Sequence, residues 1–234
     1  MKLPLPASNS NRLEPPSVVV RTCMAAIAVV TWFALALQFY LMVIDSQAQG
    51  AERVRLIVNY FSFFTILANL LVALGLSFTL VVPHSSWGRF FSRPVAASGT
   101  AVYIAIVGVS YSLLLRHLWN PQRAQKIADI LLHDLVPVLY VGYWLIFVPK
   151  GSLRWKDTFS WLLYPLVYFC YSLIRGAVTG WYAYPFIDAS KLGYSQVLVN
   201  AAMLVCVFLA VALLAVASGR WMRRNSPPGH RQFE

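Results

Sequence analysis

Six apolar runs, most of them close to 20 residues long, alternate with short polar segments along the chain. They cover about Thr22–Ile44, Leu56–Val82, Val95–Leu115, Ile127–Val148, Thr158–Ile174 and Ser195–Ala217. A helix rises about 1.5 Å per residue, so runs of this length match a hydrocarbon core roughly 30 Å thick. The pattern predicts an all-α integral membrane protein whose six transmembrane helices form one bundle over residues 18–217. Residues 1–17, with four prolines, read as a flexible tail, and residues 218–234 as a basic one. The first run is too long for a signal-peptide core and reads as an uncleaved span, although Ser46-Gln47-Ala48-Gln49-Gly50 after it mimics a cleavage site. Pro83–Pro94 reads as a turn-rich connection.

Composition agrees with the pattern. Of the 234 residues, 59% are hydrophobic and only 12% charged, and the mean hydropathy is +0.64. A soluble surface needs about twice that charge. The net charge of +11 comes from bases scattered singly between the runs, not from the clustered face of a nucleic-acid binder. Six spans put both termini on one side. That side carries 12 of the 19 basic residues, which predicts cytoplasmic termini by the positive-inside rule. Trp87, Trp155 and Trp221 then mark the inner interface, and Trp119, Trp181, Tyr182 and Tyr184 the outer one. Membrane lipids are the expected partners, and the sequence names no oligomeric state. The 14 arginines against 5 lysines hint at a GC-rich genome, hence a bacterial cytoplasmic membrane.

Ionisable groups at membrane depth cost about 2.5–3.5 kcal/mol each on insertion scales, so each one calls for a reason. Ser62, Thr65 and Asn69 in the second run are spaced i, i+3, i+7 and fall on one helical stripe. Asp129 and His133 in the fourth run are i, i+4 and share a face, with Asp134 beside it. Ser62 and His133 each lie six residues into their runs, roughly 9 Å into their helices and at one level in the outer half of the bilayer. A hydroxyl and an imidazole at one level suggest acyl transfer, with His133 as general base, Ser62 or Thr65 as nucleophile and Asp129 as orienter. Asn69, Asn59, Arg175 or a tyrosine could serve an oxyanion. The ordinary alternative is that these hydroxyls glue helices together.

The loop from Arg175 to Asp188 holds two glycines, a proline and a dense aromatic cluster, and reads as an interfacial anchor or as a lid over the same level. Nucleophile-elbow, zincin, Walker and dinucleotide-binding signatures are absent. Cys23, Cys170 and Cys206 lie far apart within apolar runs and have no ligand spacing, so they read as small packing residues, and no metal or cofactor is expected. Pro137-x-x-Tyr140-x-x-Tyr143 recurs 28 residues later as Pro165-x-x-Tyr168-x-x-Tyr171, which reads as two similar packing faces, each with a proline kink.

Tyr60-Phe61-Ser62-Phe63, His133 with Pro137 after it, and Gly180-Trp181-Tyr182-Ala183-Tyr184-Pro185-Phe186 together resemble the Pr-six-Pr family of bacterial six-span membrane proteins, related to the androgen-induced and androgen-dependent membrane proteins of animals. The resemblance covers roughly residues 20–215. The animal members are hydrolases that cleave fatty acid esters of hydroxy fatty acids with a threonine and a histidine. It implies that Ser62, which follows Tyr60-Phe61, stands at the nucleophile position and His133 at the base, with Thr65 one turn away as the other candidate. Asn69, Arg175, Trp181, Tyr184 and Pro185 are then the substrate-side and lid residues. The expected function is hydrolysis of a fatty-acyl ester within the membrane. The rival is a non-enzymatic six-span transporter or lipid-binding subunit with a polar cavity around His133, Asp129 and Arg175.

Overall fold

The computed structural model describes residues 17–45 and 52–225, and the leading tail, the cleavage-like Ser46–Gly50 and the end of the basic tail lie outside them. Six helices are long and apolar enough to cross a membrane: Val18–Ile44, Phe64–Val81, Pro94–Leu118, Arg123–Phe147, Asp157–Thr179 and Ala189–Met222. They are called spans one to six. No strand occurs among the described residues. The chain is thus a multi-pass, all-α membrane protein. Spans one to four form the packed centre, span six docks on span three, and span five packs mainly against span six. Side chains such as Phe33, Val138, Ile146, Phe159 and Leu214 point outward and stay exposed, as lipid-facing residues do.

Lipid tails are as apolar as leucine, so helices in a membrane gain by close packing and by hydrogen bonds rather than by leaving water. The interfaces follow that rule. Ala34, Ala68, Ala73, Ala128 and Ala212 are fully buried and let backbones approach. Buried polar side chains bond across spans: Trp144 Nε1 donates to Ser98 Oγ at 2.8 Å, Tyr103 Oη to Trp161 O at 2.9 Å and Tyr60 Oη to Leu35 O at 2.8 Å. At the Ser17 end, Lys150 Nζ donates to Leu145 O and Val148 O, both at 2.8 Å, and caps span four.

At the end opposite Ser17, the distal end, three spans carry a π-turn. Span one finishes in a π-turn at Tyr40–Asp45, span three in one at Tyr111–Leu115, and span four carries one at Leu131–Leu135. The last has a readable cause. Pro137 lacks an amide hydrogen, and in a regular helix its ring would strike the carbonyl of residue 133. The Val136 amide bonds to Leu131 O instead, five residues back, and the helix swells there. Gly108 of span three lets that swelling approach, because a Cβ at this position would sit 3.2 Å from both His133 O and Pro137 Cβ.

Several expectations are corrected. The second apolar run is not one helix from Leu56: a short helix, Arg53–Tyr60, breaks at Phe61–Phe63, and the span starts at Phe64. The Pro83–Pro94 connection contains a helical turn and a half, Ser86–Phe91. The sixth helix runs from Ala189 to Asn225 with a bend at Gly193, so the basic segment after residue 217 begins as helix. Cys170 and Cys206 are exposed rather than packed. The Pro137/Pro165 repeat is not structural either, since Pro165 sits in an unbroken helix, Asp157–Thr179, while Pro137 follows a π-turn.

If close approach of span three to the π-turn holds the distal end together, Gly108→Leu should cost about 1–3 kcal/mol through overpacking. A drop of several degrees in the detergent-solubilised melting temperature is expected. Gly142→Leu is the control, since a Cβ there meets nothing within 4 Å. Equal melting of the two variants would contradict the packing account.

Candidate polar site between spans two, three and four

The break at Phe61–Phe63 fixes what the second apolar run presents. Ser62 does not sit on a helical stripe. Its hydroxyl donates to Val58 O at 2.6 Å and pairs with Tyr171 Oη at 2.7 Å, and its carbonyl accepts from Tyr168 Oη at 2.9 Å. It is buried against span five and lines neither cavity described below. The continuous helix on which the placement of Ser62 beside His133 relied is therefore absent. Thr65 takes the position facing span four. It occupies the first turn of span two, where backbone amides lack intrahelical partners and the helix dipole is positive.

Tyr184 meets Thr65 from the aromatic loop. The Thr65 amide donates to Tyr184 Oη at 3.2 Å, and the two hydroxyls lie 3.3 Å apart. Burial pushes the Tyr184 phenol above its ordinary range, so it stays a neutral hydroxyl that can donate. The loop is folded onto the break. Phe63 makes edge contacts with both Trp181 and Tyr184. Arg175 lies over the Trp181 ring at 4.3 Å and donates to Asn59 Oδ1 at 2.5 Å. Gly180 ends span five with φ +69, a left-handed turn that suits glycine. Gly176 leaves room for the Tyr182 ring.

His133 sits within the span-four π-turn. Its Nδ1 lies 3.0 Å from Asp129 O and 3.2 Å from Asp129 Oδ1, the latter contact out of line for a hydrogen bond. With Nδ1 turned back to its own helix, Nε2 is the nitrogen left to meet a ligand. Asp129 Oδ2 accepts from Tyr111 Oη at 2.5 Å, and Tyr111 Oη accepts in turn from Trp119 Nε1 at 3.2 Å. The Tyr111 ring also stacks on the imidazole, with centroids 3.8 Å apart and planes 15° apart. Arg116 pairs with Asp134 beyond this group.

Asn69 joins the two halves. Its Nδ2 donates to Thr65 O at 2.8 Å and to Leu132 O at 3.3 Å. Leu132 O needs that donor: the Val136 amide is taken by Leu131, and Pro137, next in line, has none. The same proline that swells span four thus frees a carbonyl beside His133 for a side chain of span two.

A cavity of about 290 Å³ opens between these elements. Thr65, His133, Asp129, Tyr111, Tyr184 and Pro185 all lie on its wall, as does Gln125, which donates to Gln38 Oε1 at 2.9 Å. Thr65 and His133 share the cavity without a hydrogen bond between them, so a ligand atom or water would stand between. Of the residues read from sequence, Thr65, His133, Asp129, Tyr184 and Pro185 are brought together. Asn69, Arg175 and Trp181 support the walls from behind, and Ser62 stands apart. Tyr111, Gln38 and Gln125 were not picked out from sequence as site residues, and Trp119 was read only as a marker of the outer interface. A tyrosine three residues after Gly108, near the end of an apolar run, was the one available signal for Tyr111.

No family model, no curated protein and no solved structure matches this chain.

Proposed function

We propose that the chain is a metal-independent hydrolase of lipid esters with Thr65 as nucleophile and His133 as base. The observation that carries this reading is the wall of the 290 Å³ cavity, which holds both a hydroxyl at a helix N-terminus, Thr65, and an imidazole beside a carboxylate, His133 with Asp129. In the proposed reaction His133 Nε2 takes the Thr65 hydroxyl proton as Oγ1 attacks the ester carbonyl carbon. Asp129 steadies the imidazolium that forms. The Tyr184 hydroxyl, its oxygen held by the Thr65 amide, donates to the developing oxyanion at the positive end of span two. The proton passes from His133 to the departing alcohol. Water, deprotonated by the same imidazole, then releases the acid and restores Thr65.

Thr65 replaces Ser62 in this proposal because the Ser62 hydroxyl is already paired on both sides and faces span five. The short elements that resemble the Pr-six-Pr proteins and their animal relatives support a hydroxyl–histidine hydrolase with His133 as base, while they align the family's nucleophile with Ser62 rather than Thr65. We further propose cytoplasmic termini in a bacterial inner membrane, which would set the distal end at the outer face. A transporter or lipid-binding subunit would need no activated hydroxyl, and the first experiment separates these.

Purified protein treated with a fluorophosphonate probe should be labelled on Thr65. The label should vanish in Thr65→Ala and His133→Ala and persist in Ser62→Ala. An unlabelled, monodisperse sample would overturn the hydrolase reading, and a label on Ser62 would overturn the choice of nucleophile.

Tyr111 tests the arrangement from the other side. Its hydrogen bond to a carboxylate is of a kind worth about 1.5–3 kcal/mol, so Tyr111→Phe should slow labelling roughly tenfold to a hundredfold while keeping the stack on His133. Tyr111→Ala should be slower still. Equal rates in wild type and Tyr111→Phe would show that Asp129 needs no support from span three.

A further inference from the structure

A second cavity, of about 230 Å³, lies on the other side of Thr65. It runs between spans three, five and six, and Val107, Leu162, Leu166, Phe169, Val205 and Phe208 form much of its wall. No ionisable acid or base other than tyrosine lines it. Its polar side chains all end in hydroxyls, and three of these residues, Thr65, Tyr111 and Tyr184, also line the polar cavity. The two chambers therefore meet at a partition that carries the proposed nucleophile and oxyanion donor.

Chemistry restricts what the second chamber can hold. Ordered water needs two to four polar partners, which its walls lack below the partition. A charged headgroup would be buried without a counter-charge. A hydrocarbon chain fits both conditions. The chamber also has a side door: Leu166 of span five is 41% exposed and Ala202 of span six is exposed, although both line the cavity. These residues sit on the seam between spans five and six, which faces the hydrocarbon of the bilayer. From Phe169 to Leu162 the wall runs seven residues down span five, roughly 10 Å at the helical rise. A zigzag chain with carbon–carbon bonds of about 1.5 Å covers that depth in roughly eight carbons.

We propose that this chamber is the acyl-chain site of the enzyme. One unbranched hydrocarbon chain enters sideways from the bilayer between spans five and six, lies along Phe169, Leu166 and Leu162, and brings its carbonyl to Thr65. The alcohol portion of the ester occupies the polar chamber beside Gln38 and Gln125. Leu162 and Phe208 form the floor, so selectivity for the acyl chain rises up to about eight carbons and then levels off, longer chains leaving through the seam. The inference rests on the hydrolase reading for its carbonyl placement but not for the presence of the chain.

Two measurements keep the chain site and the chemistry apart. In the first, wild type and His133→Ala in lipid nanodiscs are irradiated with a diazirine-bearing palmitic acid, and the crosslinked peptides are mapped. Crosslinks should concentrate on 162–169 and 201–208 in both proteins and be competed by unlabelled palmitic acid. Ala201→Trp and the milder Val205→Phe, both filling the chamber, should lower them at least fivefold. Crosslinks spread over all lipid-facing helices, uncompeted and unchanged in a folded filling variant, would overturn the chain site. In the second, p-nitrophenyl esters of two to twelve carbons are hydrolysed by wild type and by both filling variants. Wild-type kcat/KM should rise on the order of a thousandfold from acetate to octanoate and then flatten, as burial of successive methylenes predicts. The filling variants should lose that rise. A flat wild-type series with Thr65 labelled by fluorophosphonate would overturn this inference and leave the hydrolase standing. Competed crosslinks in the chamber without any label on Thr65 would keep the chain site and remove the hydrolase.

Discussion

The polar end of the bundle depends on one missing hydrogen. Pro137 has no amide proton, so the helix before it cannot close its ladder and widens into the turn that carries His133. Widening alone would leave Leu132 O orphaned in a medium with little water, where an unpaired carbonyl is costly. Asn69 removes that cost from the neighbouring span and in the same stroke ties Leu132 to the Thr65 carbonyl. Gly108 admits the swelling and brings Tyr111 onto the imidazole. The backbone defect, its donor and its packing partner therefore come from three different spans, and the separation of Thr65 from His133 follows from their agreement.

A second defect complements the first. The break after Tyr60 converts one long apolar run into a surface helix and a shorter span, and so exposes a helix N-terminus at the level of the π-turn. The cost is a cluster of amides and carbonyls without helical partners. Tyrosines from elsewhere answer it: Tyr168 donates to Ser62 O, Tyr171 pairs with its hydroxyl, and Tyr184 meets the Thr65 amide. Two of these three come from span five and one from the aromatic loop, which explains why a span with so few buried residues is nonetheless fixed in position. Tyrosine suits the task because its ring tolerates lipid while its hydroxyl reaches a backbone group.

Both defects fall at one end of the molecule, and the two chambers meet there. Regular helices elsewhere satisfy their own hydrogen bonds and pack through alanine and glycine, leaving little free volume. Where the ladder opens, side chains must supply the missing partners, and irregular backbone lining a cavity becomes tolerable. The apolar chamber extends from that point toward the bilayer centre. The polar chamber extends from it toward the aromatic loop. A ligand spanning both would need one hydrocarbon end and one end able to hydrogen-bond.

The number of spans, their order and the rarity of charge at depth are written in the sequence, because a bilayer imposes a length and a hydropathy that composition cannot hide. The pairing of Asp129 with His133 was legible too, since i, i+4 on a helix requires no knowledge of neighbours. The stripe of Ser62, Thr65 and Asn69 misled, because periodicity presumes an unbroken helix and nothing in Phe61-Ser62-Phe63, without glycine or proline, announces a break. Tertiary contacts decide it: the tyrosines that stabilise the broken backbone lie more than 100 residues away in the chain. The same holds for Tyr111 and for the partition between the chambers. Residue types and local spacing determined that this chain would carry polar and ionisable side chains within its membrane spans. Which hydroxyl shares a cavity wall with the imidazole was decided only when distant side chains met the demands of an interrupted helix.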